Sequence, residues 1–349
     1  MKRYQPIFLT VLLILLMAGG RSAAADKKLN VVTTIATYGN IAKLIGGDKI
    51  DVTIFVDGNE DPHFIRPKLS YSEKLAKADM FVDTGLDLEL WVPALEDAAG
   101  NMKIMSGGSG YVSASSGLKL LEKVDVQDRK EGDVHIHGNP HIYNCPVCLF
   151  QVAKNICTGL KKVDPANKSY YKSNLAKFET RLGNKLYGEA LVGILGVKVL
   201  NKLAAKGKLI SFLEEEQFEG KPLIDSLAGW MKQALPIRGR KVVAYHKNWA
   251  YFAKVFGLDI VEYVEPKPGI PPTAKHVKHV VDTMKKNNVK VVLSANYYDK
   301  AKVKAVAKKV GAKPVIVTIS AGGEKGVDDV FDVFDNILNR LVPALTGGQ

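Results

Sequence analysis

Residues 29–56 read LNVVTTIATYGNIAKLIGGDKIDVTIFV, and the pattern of this segment predicts the architecture of the whole chain. Its two ends, residues 29–35 and 50–56, are rich in β-branched side chains, which is typical of buried strands. Between them, residues 38–45 have the composition of a helix that a pair of glycines ends. A strand, a helix and a second strand in this order predict a parallel βαβ unit.

The alternation continues over residues 80–99 and returns over residues 241–345. Between these parts, residues 100–139 are rich in glycine, serine and charge, and we predict a surface loop with one short strand at 118–124. A long helix is predicted at 165–187, where a proline suits the first turn.

These features predict an α/β fold of two lobes, each a mainly parallel sheet flanked by helices. We place the N-terminal lobe at residues 26–163 and the C-terminal lobe at residues 191–349. A long rigid backbone helix at residues 164–190 is predicted to join them.

Residues 1–25 have the features of a cleavable secretory signal peptide. Lys2 and Arg3 precede an apolar run at residues 7–17, and three alanines at 23–25 suit a cleavage site. The apolar run is too short to cross a bilayer as a helix. We therefore expect a soluble protein that is exported to a periplasm.

The formal net charge of +13 comes from lysines scattered along predicted helix faces. No basic block is interleaved with aromatic residues, so this charge indicates a solvated surface and not a nucleic-acid-binding protein. Cys145, Cys148 and Cys157 are too few for a disulfide framework. We favour a packed pair or a single bridge for Cys145 and Cys148, over a redox pair or a local zinc site with His141.

Three short histidine motifs carry the functional signal: DPHF at 61–64, GNPHIY at 138–143 and YHKNW at 245–249. Neutral imidazole is a common ligand of transition metals. His246 ends a strand predicted at 241–246, and open α/β sheets bind ligands at the carboxyl ends of their strands. A proline before each of the first two histidines restricts the backbone. We predict that His63, His141 and His246 bind one metal ion between the lobes.

The other four histidines give weaker signals. His135 and His137 are predicted to lie in a solvated loop, with a role as secondary ligands or as a metal-capturing loop left open. His276 and His279 share a helix face, but we expect them to be surface residues because no carboxylate is close by on that face.

Together the motifs resemble the solute-binding proteins of bacterial zinc and manganese ABC importers, the ZnuA/TroA-like family. The resemblance rests on the three histidine motifs, on DPAN at 164–167 and on EPKPGIPP at 265–272. It implies two α/β lobes bridged by a rigid helix, with the metal at their interface and ligands at His63, His141 and His246.

This sequence departs from the family at the fourth ligand, which is usually an acidic residue just after the strand that ends at Ser294. Ala295 and Asn296 occupy that place, and the usual histidine-rich loop is reduced to His135 and His137. Water or a borrowed carboxylate is expected to complete the shell, the candidates being Glu60, Asp299 and Glu265. The all-nitrogen ligand set favours Zn²⁺ over Mn²⁺, which prefers oxygen ligands.

The leading hypothesis is a monomeric periplasmic receptor that captures a divalent metal and delivers it to a membrane ABC permease, without catalysis. A zinc-dependent hydrolase is the alternative, because three protein ligands with an open position are also how catalytic zinc is commonly held. A metal-linked adhesion protein stays open as a third possibility.

Overall fold

The computed structural model describes residues 27–123, 135, 137–266 and 269–347. Within these residues the strands form two separate four-stranded sheets and one two-stranded hairpin. The strands are β1 (Leu29–Ile35), β2 (Ile50–Val56), β3 (Met80–Asp83), β4 (Tyr111–Ser113), β5 (Gln217–Phe218), β6 (Lys221–Pro222), β7 (Lys241–Ala244), β8 (Asp259–Tyr263), β9 (Val291–Ala295) and β10 (Lys313–Val317).

The first sheet has the strand order β2-β1-β3-β4, and all its pairs are parallel. The central strand β1 pairs Val31 with Val52 on one side and with Met80 on the other. The predicted strand at 118–124 is wrong: the fourth strand is β4, where Tyr111 pairs with Phe81. Edge position explains the error, because β4 has three residues and no apolar run of its own.

The second sheet has the order β10-β9-β7-β8 and is also parallel throughout. In both sheets the first strand of the lobe lies inside, and each crossover carries a helix. The parallel α/β prediction is therefore confirmed for both lobes. The signal-peptide prediction lies outside the described residues.

The helices flank both sheets and fill the region between them. They are α1 (Ala36–Gly46), α2 (Leu69–Ala76), α3 (Val92–Ala99), α4 (Leu149–Val163), α5 (Lys168–Tyr187), α6 (Glu189–Leu195), α7 (Val197–Ala205), α8 (Leu209–Glu215), α9 (Gly229–Gln233), α10 (Ala250–Phe256), α11 (Ala274–Lys286), α12 (Lys300–Lys308) and α13 (Val330–Thr346). No helix of the described part of the chain is long and apolar enough to cross a membrane.

Helix α5 contacts both lobes, as expected of a connecting helix. Near its start, Asn174 Nδ2 donates to the backbone oxygen of Ile45 at the end of α1, over 3.1 Å. Near its end, Arg181 and Lys185 form ion pairs of 2.8 and 2.7 Å with carboxylates of the C-terminal lobe. The helix begins at Lys168, later than predicted, because Pro165–Asn167 form a separate 3-10 turn.

The cysteine prediction has a clear outcome: Cys145 and Cys148 form a single disulfide, and Cys157 is free and buried. Cys148 is the residue just before α4, so the bridge lies at the start of that helix. It also lies four residues after His141, in the segment that carries this histidine to the cleft.

Candidate metal site

The three predicted histidines converge from three loops. His63 follows β2, His141 lies in the turn before α4, and His246 comes two residues after β7. One ligand atom of each lies within 4.8 Å of the other two. The ring centroids are 5.1 to 5.2 Å apart, so residues separated by 78 and 105 positions along the chain share one small volume.

His63 is oriented by the acidic residue two positions before it. Asp61 Oδ1 accepts the backbone N–H of His63 at 3.1 Å and lies 2.7 Å from its ring Nδ1. Trp91 Nε1 donates to the oxygen of Pro62 at 2.9 Å and fixes the same turn from the start of α3. The Nδ1–H is therefore used by Asp61, which leaves the Nε2 lone pair for the cleft.

His141 is oriented in the same way by Asn139. The amide oxygen of Asn139 accepts the backbone N–H of His141 at 2.9 Å and lies 2.8 Å from Nδ1. Asp61-Pro62-His63 and Asn139-Pro140-His141 are thus two copies of one local device. The shared Asx-Pro-His pattern was visible in the sequence, and it is the signal by which the roles of Asp61 and Asn139 could have been found.

His246 depends on a partner farther along the chain. Its Nδ1 lies 2.5 Å from Oε2 of Glu265, a residue just after β8, the strand that pairs with β7. Its Nε2 and that of His141 are buried and have no hydrogen-bond partner. Two buried imidazole nitrogens without partners, facing the same point, fit a metal ion, since buried polar atoms are otherwise paired.

Burial favours the neutral form of the His141 and His246 rings. It lowers the pKa of His141, as do its histidine neighbours, and it lowers the pKa of His246 although Glu265 acts in the opposite direction. Neutral imidazole is the form that binds metals, so both rings are ready to bind at neutral pH.

The three carboxylates considered as a fourth ligand all have other hydrogen bonds. Glu60 accepts the backbone N–H of Asp57 in an exposed turn. Asp299 is the N-cap of α12, and Glu265 accepts from His246 and from the backbone of Gly269. Ala295 is fully buried in β9, and Asn296 Nδ2 donates to the oxygen of Gly323.

The prediction of a solvated loop is wrong for His135. Its ring is half-buried, and its Nε2 lies 3.3 Å from His63 Nε2. Burial, followed by the charges of His63 and His246, lowers the pKa of His135 to about 3. His137 is exposed, with 60% of its side-chain surface accessible, and faces away toward Asp87. The two histidines of this short loop therefore have different environments.

His279 is a surface residue, as predicted, although it has a carboxylate partner from outside its own helix. A carboxylate does lie close by: Glu262 Oε2 is 3.0 Å from His279 Nε2. It comes from β8 and not from the helix face, so the helical spacing could not reveal it. His276 Nε2 donates to the backbone oxygen of Tyr263 at 3.0 Å, which removes that nitrogen from metal binding.

The fold and the site define a class: a two-lobed α/β protein with three histidines meeting in the cleft between its sheets. The family model described as zinc-uptake complex component A, periplasmic, matches residues 31–186 and 221–344. The chain belongs to this family, and the resemblance drawn from its motifs is confirmed. The unmatched interval between these ranges contains α6, α7 and α8.

Several relatives match most of the chain. It is 25% identical to the high-affinity zinc uptake system protein ZnuA of Bacillus subtilis, over 99% of this chain and 97% of that protein. It is 26% identical to the manganese ABC transporter substrate-binding lipoprotein PsaA of Streptococcus pneumoniae, over 94% and 92%. With the zinc-binding lipoprotein AdcA of S. pneumoniae it shares 23% identity over 90% of its length, and it spans 54% of that longer protein.

Solved structures show the same fold. A crystal structure of ZnuA superimposes with a TM-score of 0.67 at 23% identity, covering 91% of this chain and all of that one. At this level of identity the likeness establishes the two-lobed architecture and not the identity of the ligands.

Proposed function

We propose that this protein captures a divalent transition metal between its lobes and delivers it to an ABC permease, and that His63, His141 and His246 bind the ion. The observation that carries the proposal is the convergence of the three imidazoles, two of them with buried Nε2 atoms that have no other partner. Membership of the family of solute-binding proteins supports the same conclusion.

Zn²⁺ is the ion that the donor set favours. All three proposed ligands are nitrogen atoms, whereas Mn²⁺ favours carboxylate and water oxygen. Relatives of both kinds exist, ZnuA being named for zinc and PsaA for manganese. The choice between the ions therefore rests on the ligands of this chain and is open to direct measurement.

A binding role fits the site better than hydrolysis. A zinc hydrolase needs a carboxylate that is free to act as a base on the metal-bound water. The two carboxylates closest to the rings, Asp61 and Glu265, lie against imidazole Nδ1 atoms and orient their histidines. The relatives reported above are named as transport components, which also supports a non-catalytic role.

The remaining features of the proposal follow from this role. We propose export by the segment at residues 1–25, action as a periplasmic monomer, and a division into lobes at 26–163 and 191–349 around the linking helix at 164–190. The contacts of α5 with both lobes support this division.

The test is metal titration of the mature protein with native mass spectrometry. We expect one Zn²⁺ per chain, and near-complete loss of tight binding in His63→Ala, His141→Ala and His246→Ala. His279→Ala is the matched control, because this histidine is exposed and pairs with Glu262. If the three cleft variants bind zinc like the wild type while remaining folded, the proposal is wrong.

A further inference from the structure

We propose that His135 is the fourth ligand and replaces the carboxylate that this chain lacks after β9. This inference rests on the proposed function, since it assigns the remaining position of the same ion. It makes the site a shell of four imidazoles, His63, His135, His141 and His246, and makes His135 a residue that determines which metal is bound.

The distance between the rings of His63 and His135 supports this assignment. In tetrahedral zinc sites the Zn–N bonds are about 2.0–2.1 Å, so two ligand nitrogens are separated by about 3.3–3.4 Å. The Nε2 atoms of His63 and His135 are 3.3 Å apart. This pair already has the spacing of one edge of a zinc tetrahedron, and the other proposed ligands lie within 4.8 Å of His63.

The Nε2 atoms of His63 and His135 also face one another. Asp61 accepts the Nδ1–H of His63, so the Nε2 of that ring carries a lone pair. His135 directs its own Nε2 toward the Nε2 of His63. Its ring centroid is 5.4 Å from that of His63 and 5.9 Å from that of His141. With its ring proton on Nδ1, His135 supplies a second lone pair, and a cation between the two Nε2 atoms is stabilised by both.

The backbone of His135 is hydrogen-bonded to a segment that other contacts hold in place. Its backbone oxygen accepts the N–H of Gly138 at 3.1 Å, which closes a turn directly before Asn139. Gly138 has a φ of 115°, and a Cβ there would lie 2.9 Å from the Cβ of Leu120. Asn139 is itself hydrogen-bonded to Glu122 and to the backbone of Lys247, so the turn begins from a fixed segment.

The residues at the end of β9 and just after it offer no strong metal donor. Ala295 has no donor atom in its side chain. Asn296 Nδ2 donates to the backbone oxygen of Gly323, and its buried Oδ1, which has no hydrogen-bond partner, is a neutral and weak metal donor. A fourth imidazole supplies the missing donor without adding charge. The bound ion keeps its full charge, which Asp61 and Glu265 balance from behind His63 and His246. Four nitrogen donors favour zinc more strongly than a shell with one carboxylate.

The experiment compares His135→Ala with His137→Ala in the full mature chain. Both variants remove an imidazole from the same short loop, but His137 is exposed and faces Asp87. Competition titration with a chromophoric chelator should show at least about a 10-fold loss of zinc affinity for His135→Ala, since even indirect partners of a metal commonly contribute 10- to 100-fold. His137→Ala should bind zinc like the wild type.

X-ray absorption of the zinc-loaded proteins gives an independent readout. We expect four imidazoles around zinc in the wild type and three, with an added oxygen, in His135→Ala. A third variant, His135→Asp, replaces the imidazole by a carboxylate and should raise the Mn²⁺ to Zn²⁺ affinity ratio relative to the wild type.

The outcomes separate this inference from the proposed function. If His246→Ala abolishes binding but His135→Ala retains wild-type affinity and the same absorption spectrum, the fourth-ligand assignment is overturned and the metal receptor stands. If His63→Ala, His141→Ala and His246→Ala all retain tight binding, the receptor site itself is overturned. Equal losses in His135→Ala and His137→Ala would show a general effect of the loop and would also overturn the assignment.

Discussion

Each imidazole of the cleft has two nitrogen atoms with different tasks. The Nδ1 atoms of His63, His141 and His246 face Asp61, Asn139 and Glu265 respectively, and these partners fix the orientation of the rings. The Nε2 atoms are then directed toward one another. In the proposed site, residues that do not bind the ion thus control the geometry and the basicity of the histidines that would bind it.

Glu265 offers the sharpest test of this division of tasks. Glu265→Ala removes both the acceptor of His246 Nδ1–H and a negative charge, so zinc affinity should fall about 10- to 100-fold. Glu265→Gln keeps an acceptor oxygen and should lose less. A chelator competition assay measures both, with Glu262→Ala as the control because Glu262 contacts the surface residue His279. Unchanged affinity in both Glu265 variants would contradict the role given to this side chain.

At the level of elements, the segments that carry the histidines are joined to each other across the cleft. Tyr251 Oη donates to the oxygen of Asn139 at 2.7 Å, and Asn144 Nδ2 donates to the oxygen of Asn248 at 3.0 Å. These bonds connect the turn before α4 with the segment between β7 and α10. The proposed ligands therefore belong to loops that are already held in place, which would reduce the entropy lost on metal binding.

At the junction between α4 and α5, two side chains donate hydrogen bonds to the carboxylate of Asp164. Tyr171 Oη and Asn167 Nδ2 donate to Asp164 Oδ2 over 2.6 and 2.7 Å. Partial burial alone would raise the pKa of Asp164, but these hydrogen bonds outweigh it, and the pKa of this carboxyl is lowered. These hydrogen bonds therefore stabilise the fold when Asp164 is ionised.

Asp164→Asn should lower the urea midpoint at neutral pH, and the difference from wild type should shrink on acidification. A lowered folded-state pKa gives stability that is present above the unfolded-state pKa of about 3.9 and lost as the pH falls through the folded-state value. Tyr171→Phe is the matched variant, because it removes one donor but keeps the buried ring. A difference that stays constant from neutral pH to about pH 3 would rule out this ionisation as its cause.

On the scale of the whole molecule, the lobes also meet directly. Gly58, in the loop after β2, lies against the loop of residues 318–323 after β10, and its oxygen is 3.4 Å from Thr318 Oγ1. A Cβ on Gly58 would lie 2.3 Å from the backbone oxygen of Ala321. The two loops can approach this closely because no side chain stands between them.

Gly58→Ala should push the lobes apart and cost about 1–3 kcal/mol of unfolding free energy, the usual range for overpacking. Zinc affinity should fall with it, because the proposed ligands come from both proposed lobes. Urea unfolding and metal competition measure the two effects. Gly193→Ala is the control: it lies in α6 with nothing within 4 Å of the added Cβ, and alanine there should be neutral or stabilising. Wild-type stability and affinity in Gly58→Ala would contradict the close contact.

Much of the architecture could be predicted because local patterns and tertiary packing agree. The apolar runs at 29–35 and 50–56 coincide with β1 and β2, since buried parallel strands need apolar residues on both faces. Prediction was wrong where the local signal was weak or misleading. No strand forms in the described residues 118–123, whereas β4 forms at Tyr111–Ser113 without an apolar run of its own.

The amino-acid sequence by itself determined the two α/β lobes, the connecting helix and the three histidines at 63, 141 and 246, because strand periodicity and short motifs are local properties. Only the tertiary structure decided what surrounds those histidines. It brought His135 to 3.3 Å from His63, assigned Glu265 to His246, and gave Glu60 and Asp299 other partners. The physical reason is that these contacts depend on distances between loops far apart along the chain, and no local pattern encodes such distances.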